Sequence, residues 1–346
     1  MKAKITKQLL LFILSTTFFT LKVKSQDVHF SQFFETQMLR NPALTGVFTG
    51  DVKATLAYRS QWNSFTNAYK TGFGSIETKF AMGNKSDYLA LGAYVVSDKS
   101  GSIGLFTTHI MPTINYFKSV SNNKPAFIGL GFSAGIFQRG FDASKITTNS
   151  QYIGSQYVPS ASIGENFSIT QYSKLDIAFG VSFNTQLGNA KLNNFYIGAG
   201  FQHFNKPNVS FYNNRNLSLA PKINLSTGYK FELDDYSYFT AQADFTKQSA
   251  DRELLISGMY SRNLTQDADG TDLYIHAGII GRIGDAIIPV IKIDVKKYTL
   301  GFSYDANLSN LTKISFGRGG YECTITYKAW RKKTSSDEQK VNCPKF

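Results

Sequence analysis

The sequence predicts an all-β chain: a transmembrane antiparallel β-barrel of about 14 strands, preceded by a distinct N-terminal segment. Three observations carry this reading. Stretches of about nine to thirteen residues alternate apolar and polar side chains with a period of two. Turn-forming clusters separate them at near-even spacing, with no helical patterning between. The chain is also rich in Phe (29), Tyr (19) and Gly (28), and the aromatic usage favours strands.

Residues 1–25 read as a cleavable signal peptide. Lys2, Lys4 and Lys7 form a basic head, Leu9 to Leu21 an apolar run, and Val23-Lys24-Ser25 the site before Gln26. The run is shorter than the ~20 residues of a helical span, and no Cys follows it to suggest a lipoprotein. No later stretch is long and apolar enough for such a span, which excludes an inner-membrane helical protein. Of the net charge of +13, five lysines belong to the leader. The remaining basic residues are dispersed, and an exported start argues against nucleic acid as a partner.

Residues 26–50 begin QDVHFSQFFETQMLRNPALTG, too polar for a membrane helix and too aromatic for a disordered linker. Residues 51–330 carry the strands. Val52, Ala54, Leu56 and Tyr58 alternate with Lys53, Thr55 and Arg59; Leu175 to Phe183 and Tyr298 to Tyr304 repeat the pattern. Expected turns include 83–87, 97–101, 121–125, 186–194, 232–235 and 265–271, and the longest loop is expected over 138–157.

Alternation also fits a soluble sandwich, so other features must decide. The strand length matches a tilted bilayer crossing. Tyr58, Trp62, Phe117, Tyr229, Tyr274 and Trp330 near strand ends suggest interfacial girdles. Lys53, Arg59, Glu77, Lys79, Asp176, Asp244, Lys292 and Asp294 lie on the polar faces, where ions suit a wet lumen better than lipid. Closure removes every open edge. Pro159, Pro221 and Pro289 fall near strand starts, where a ladder bond can be lost; Pro112 sits deeper and is expected to mark a bulge.

Little catalytic or cofactor chemistry is indicated. The four histidines, His29, His109, His203 and His276, lack a nucleophile-elbow setting, although an outer-membrane hydrolase remains a rival reading. Gly129, Gly131 and Ala134 have dinucleotide-fingerprint spacing, but a strand pattern continues where a helix is needed. DADGTD (267–272) lacks the closing Glu of a calcium loop. Cys323 and Cys343 are too few for a disulfide framework or a zinc site; they can pair in an oxidising compartment or leave Cys343 as a free thiol. No cofactor or metal is expected.

Several short motifs, in order along the chain, resemble the PorP/SprF family of outer-membrane proteins of the type IX secretion system in Bacteroidetes. They are Ser31-Gln32-Phe33, Asn41-Pro42-Ala43 with Gly46, and Tyr58-Arg59-Ser60-Gln61-Trp62. Asp98-Lys99-Ser100-Gly101, Gly301-Phe302-Ser303-Tyr304-Asp305 and the closing Cys343-Pro344-Lys345-Phe346 complete the set. One departure is Gly320-Tyr321-Glu322, where the family commonly has Ser-His-Glu. The resemblance implies that residues 26–46 run through or against the barrel, with Asn41-Pro42 turning the chain. It also implies a non-enzymatic role in export or surface retention of cargo such as gliding adhesins. Implied partners are that cargo, outer-membrane lipids and periplasmic peptidoglycan-binding secretion components. Residues 331–346 would then form a periplasmic tail, with Arg331, Lys332 and Lys333 available to an acidic surface. The alternative is a porin-like channel for small solutes.

Overall fold

Fourteen strands form where outward apolar and inward polar positions alternate, and they close into one antiparallel barrel. The computed structural model describes residues 27–61, 69–82, 87–188, 193–265, 273–308 and 318–331. The first wall comprises β1 (Val52–Gln61), β2 (Tyr69–Met82), β3 (Asp87–Ser100), β4 (Leu105–Ser119) and β5 (Ala126–Gly140). The next connection carries a separate hairpin, β6 (Tyr152–Ile153) with β7 (Gln156–Tyr157). The barrel resumes with β8 (Gln171–Gln186), β9 (Asn194–Gln202), β10 (Lys222–Asp234), β11 (Ser237–Gln248) and β12 (Asp251–Asn263). It finishes with β13 (Leu273–Arg282), β14 (Ala286–Val295), β15 (Tyr298–Asn307) and β16 (Arg318–Ala329). The last strand pairs back onto the first, from Val52 opposite Ala329 to Gln61 opposite Gly320.

Among the described residues no helix is long and apolar enough to cross a membrane. The strands supply the apolar exterior: Leu56, Ile76, Leu130, Leu175, Ile279 and Phe302 are exposed, while Lys53, Arg59, Glu77, Lys79, Asp176 and Asp244 are buried inside. That polarity is the reverse of a soluble sandwich and suits hydrocarbon outside. Of the aromatics expected at interfaces, Tyr58, Tyr229 and Trp330 are exposed. Phe117 turns inward instead and is fully buried, and Tyr274 lines the lumen.

Strands β2 to β5 and β8 have 14 to 16 residues, more than the expected nine to thirteen. They absorb part of two expected connections. Ser97 to Ser100 belong to β3, leaving 101–104 as the turn, and the long loop shifts from 138–157 to 141–170. Asp98 stays in the ladder opposite Thr71, whose hydroxyl donates to its carboxylate at 2.6 Å. The turn expected at 232–235 shrinks to 235–236. Most of 83–87 and 265–271 lies outside the described residues.

Pro112 marks a gap rather than a bulge. Pairing of β4 with β5 is broken between Ile110–Ile136 and Thr113–Ser133, yet the register is the same on both sides. Proline removes one N–H without adding a residue, and the Ser133 hydroxyl donates to its carbonyl at 2.8 Å.

Alternating strand direction sorts the connections onto two ends. The loop end carries 101–104, 141–170, 203–221 and 283–285; the turn end carries 120–125, 235–236 and 296–297 with the start of β1 and the end of β16.

Candidate functional site

Residues 27–50 descend the lumen from the loop end to the turn end. Asp27 meets His203 and Gln248 just past β9 and at the end of β11, and Asp51 donates its N–H to the Ala329 carbonyl where β16 ends. Residues 30–48 are all buried. A single helical turn, α1 (Gln37–Arg40), precedes a 3-10 turn over Pro42–Leu44. Asn41 caps the second turn, accepting from the Ala43 N–H at 2.8 Å, and proline at the first position gives up a donor that would have no partner.

The upper half of this plug is held by a knot of buried charges. The Glu322 carboxylate accepts the successive backbone N–H groups of Ser31 (2.6 Å) and Gln32 (2.9 Å). Arg59 is 1% exposed; it pairs with Asp305 at 2.9 Å and Glu322 at 3.1 Å and donates to the His29 carbonyl at 2.6 Å. Arg282 reaches Asp305 at 3.1 Å, Glu253 at 3.2 Å and the Ser31 hydroxyl at 2.6 Å. Each carboxylate thus faces a guanidinium, the arrangement under which buried charge is tolerable. Lower down, Glu35 pairs with Lys292 and Arg40 with Asp244, both at 2.5 Å.

The plug backbone also fits a cradle of small residues. Side chains of Asn115 and Ser182 each donate to the Ala43 carbonyl at 2.8 Å. A methyl group at Gly131 would overlap the Ala43 backbone, and one at Gly180 would overlap the Asn41 carboxamide. The glycines with dinucleotide-like spacing therefore serve close approach within β5. Gly46 has φ +89°, a conformation costly for other residues, and packs against Ala90. Three apolar patches complete the fit: Phe30 with Phe73 and Tyr94, Phe33 and Phe34 with Met259 and Ile280, and Leu44 with Phe117 and Phe127.

At the loop end His203 sits between two carboxylates, Nε2 2.5 Å from Asp27 and Nδ1 2.9 Å from Asp176. Burial disfavours its charged form, but the two anions outweigh that and push its pKa up to about 9. At the turn end the lumen opens below the plug into a cavity of about 410 Å³, floored by Phe34 and Glu35 and rimmed by Lys296, Lys297 and Trp330. On its wall Ser261, His276 and Asp294 stand in a row, with 2.7 Å from the Ser hydroxyl to Nδ1 and 3.3 Å from Nε2 to the carboxylate. This order matches a hydrolase relay, but the three strands that carry it are laddered to one another, which occupies backbone N–H groups that would stabilise an oxyanion. Ser261 is only 1% exposed.

The motif residues therefore fall into three groups. Asn41, Pro42, Ala43 and Gly46 form the lower plug, and Arg59, Asp305 and the motif's Ser31 meet in the charge knot. Gly301 lies against Gln32. Tyr58 and Tyr304 face outward, Gln61 ends β1, Asp98 lies two residues before the end of β3 and Gly101 (φ +67°) begins the following turn. Trp62, Cys343, Pro344 and Phe346 lie outside the described residues, as do residues 1–26, most of the tail and the 267–272 stretch. Cys323 is exposed on β16. The sequence alone does not single out Arg282, Glu253, Gly180 or Glu322. Glu322 retains the motif's acid, pointing inward, while Tyr321 points outward.

The family model described as "Type IX secretion system membrane protein PorP/SprF" matches residues 22–327. No curated protein matches the chain. Among solved structures, the toluene transporter TbuX of Ralstonia pickettii has a TM-score of 0.50 at 11% identity, covering 86% of this chain and 94% of that one. A deletion mutant of the TodX monoaromatic hydrocarbon channel gives 0.45 at 9% identity, with 86% and 94% covered. At 11% identity the likeness to TbuX is one of fold alone: an outer-membrane β-barrel.

Proposed function

Because the chain belongs to the PorP/SprF family of type IX secretion system membrane proteins, we propose that it is a non-enzymatic outer-membrane component supporting export or surface retention of cargo such as gliding adhesins. One observation carries the reading: the chain's own N-terminal segment runs down the lumen from Asp27 to Asp51, tied to the wall by the buried Glu35–Lys292 and Arg40–Asp244 pairs and by the Glu322 carboxylate, which accepts from the Ser31 and Gln32 N–H groups. A barrel stoppered in this way works through its two ends. The loop end, with 141–170 and 203–221, would meet surface cargo, and the turn end would meet periplasmic, peptidoglycan-binding components. Residues 1–25 would be removed on export.

The rival reading, a channel for small solutes, requires a continuous water path that the packed plug opposes. Planar-bilayer recording of the purified protein separates the two. The secretion role expects no steady conductance from the intact barrel and a rise when residues 27–40 are deleted. In cells, loss of the gene should trap a specific cargo inside. A steady open pore in the intact protein, with cargo export unaffected by gene loss, overturns the proposal.

A further inference from the structure

The turn-end cavity below the plug is built as an anion receptor. Six lysines line it: Lys53, Lys230, Lys292, Lys296, Lys297 and Lys328. Among the described residues only two acids, Glu35 and Asp294, share the lining. Two of the lysines are already neutralised, Lys53 by Glu77 at 3.1 Å and Lys292 by Glu35 at 2.5 Å. Lys230 lies 3.8 Å above the Tyr238 ring. Among the described residues no carboxylate stands within ion-pair distance of Lys296, Lys297 or Lys328. These three are contributed by β16 and the β14–β15 turn, so the positive charge collects on one side of the mouth.

We propose that this cavity receives an acidic segment of a polypeptide entering from the turn end. Its volume, about 410 Å³, lies within the range of built ligand sites. Tyr238, Tyr274 and Trp330 stand beside the lysines, so the walls mix aromatic with cationic groups, a lining that suits a peptide better than a free phosphate. A lipid headgroup is the poorer fit, because the mouth opens from the lumen and not from the hydrocarbon-facing wall. The plug closes the far side, so the segment docks and stops rather than passing through. This inference stands on the cavity's geometry and not on the secretion role.

The test uses the full-length protein in detergent micelles and a synthetic hexaglutamate peptide, with hexalysine and inorganic phosphate as comparison probes, read by calorimetry. Saturable one-to-one binding of hexaglutamate is expected, weakening as salt is raised because part of the attraction is screened. Lys296→Asn with Lys297→Gln should weaken it by about threefold, and adding Lys328→Gln by about tenfold in all. The first pair lies in an exposed turn, and Asn tolerates the φ of +54° at 296, so folding is preserved even if the Lys328 variant fails. No hexaglutamate binding, equal binding of hexalysine, or affinity unchanged in the turn variant overturns the proposal. So does phosphate that binds as tightly as the peptide and competes it away. A protein that binds the peptide but is dispensable for cargo export would keep the site and count against the secretion role alone.

Discussion

Replacing Arg59 by methionine tests whether charge, rather than shape, holds the plug. In the intact knot two guanidiniums, Arg59 and Arg282, face three carboxylates: Asp305, Glu322 and Glu253. After Arg59→Met one guanidinium faces three, and the His29 carbonyl loses its donor. Breaking a buried pair from one side costs about 3–5 kcal/mol. Asp305 keeps its second partner, Arg282, so the expected loss is near the lower bound, about 3 kcal/mol. The assay is urea unfolding of the barrel reconstituted in phosphocholine vesicles, with bilayer recording alongside. Adding Glu322→Gln removes one stranded charge and should return about 1 kcal/mol or more, a coupling of the size seen between contacting residues. Arg59→Lys keeps the charge but not the fork that spans two carboxylates, and should fall between. A loss below about 1 kcal/mol for Arg59→Met, or strict additivity with Glu322→Gln, would refute the reasoning.

Other outcomes follow from the same structure. Gly180→Ala should destabilise the barrel by about 1–3 kcal/mol in thermal unfolding because its methyl overlaps the Asn41 carboxamide. Gly72→Ala, with open space around the added carbon, serves as the strand control and should be far milder. His203 gains a proton affinity on folding, from an ordinary 6.5 to about 9. Its stabilisation is therefore fully present below about pH 6.5 and is lost as pH rises through about 9, by at most about 3 kcal/mol. His203→Gln should flatten that slope in urea midpoints measured from pH 6 to 10, and an unchanged slope would remove His203 as its source. Ser261→Ala should leave cargo export intact; failed export from a correctly folded variant would bring the hydrolase reading back.

The barrel was legible because its two faces meet different solvents. Val52 to Arg59 alternates cleanly, and that period of two is printed in the residues themselves. The plug was legible only as an oddity, since nothing in FSQFFETQM says which wall it touches. Where it does touch, it erases the pattern that identified the barrel. Leu255, Met259, Ile280 and Ile288 are apolar and inward because Phe33 and Phe34 cover them, so β12 to β14 carry apolar side chains on both faces. Phe117 misled for the same reason: an aromatic near a strand end reads as an interfacial anchor until Leu44 is found against it. Strand ends were also obscured. Ser97 to Gly101 has turn chemistry, yet the ladder continues to Lys99 against β2, where Thr71 and Asp98 bond across it, and to Ser100 against β4. The charge knot could not be read as a unit, since Ser31 and Glu322 are 291 positions apart.

That separation follows from how the cylinder closes. Arg59 and Glu322 sit opposite each other across the β1–β16 seam, and Glu322 is opposite Ser303 on the other side. The seam joins the first strand to the last, and the plug completes the hydrogen bonding of its inward carboxylates, Glu322 and Asp305. Ser31 and Gln32 cap the Glu322 carboxylate with their N–H groups, while the Ser31 hydroxyl bridges Asp305 and Arg282. The residues that seal the barrel are thus the same ones that hold the plug. Closure and plugging are energetically coupled through shared charges, because each supplies polar partners that the other leaves buried and unsatisfied. The outward Tyr321 takes no part in this coupling: only inward positions belong to the knot.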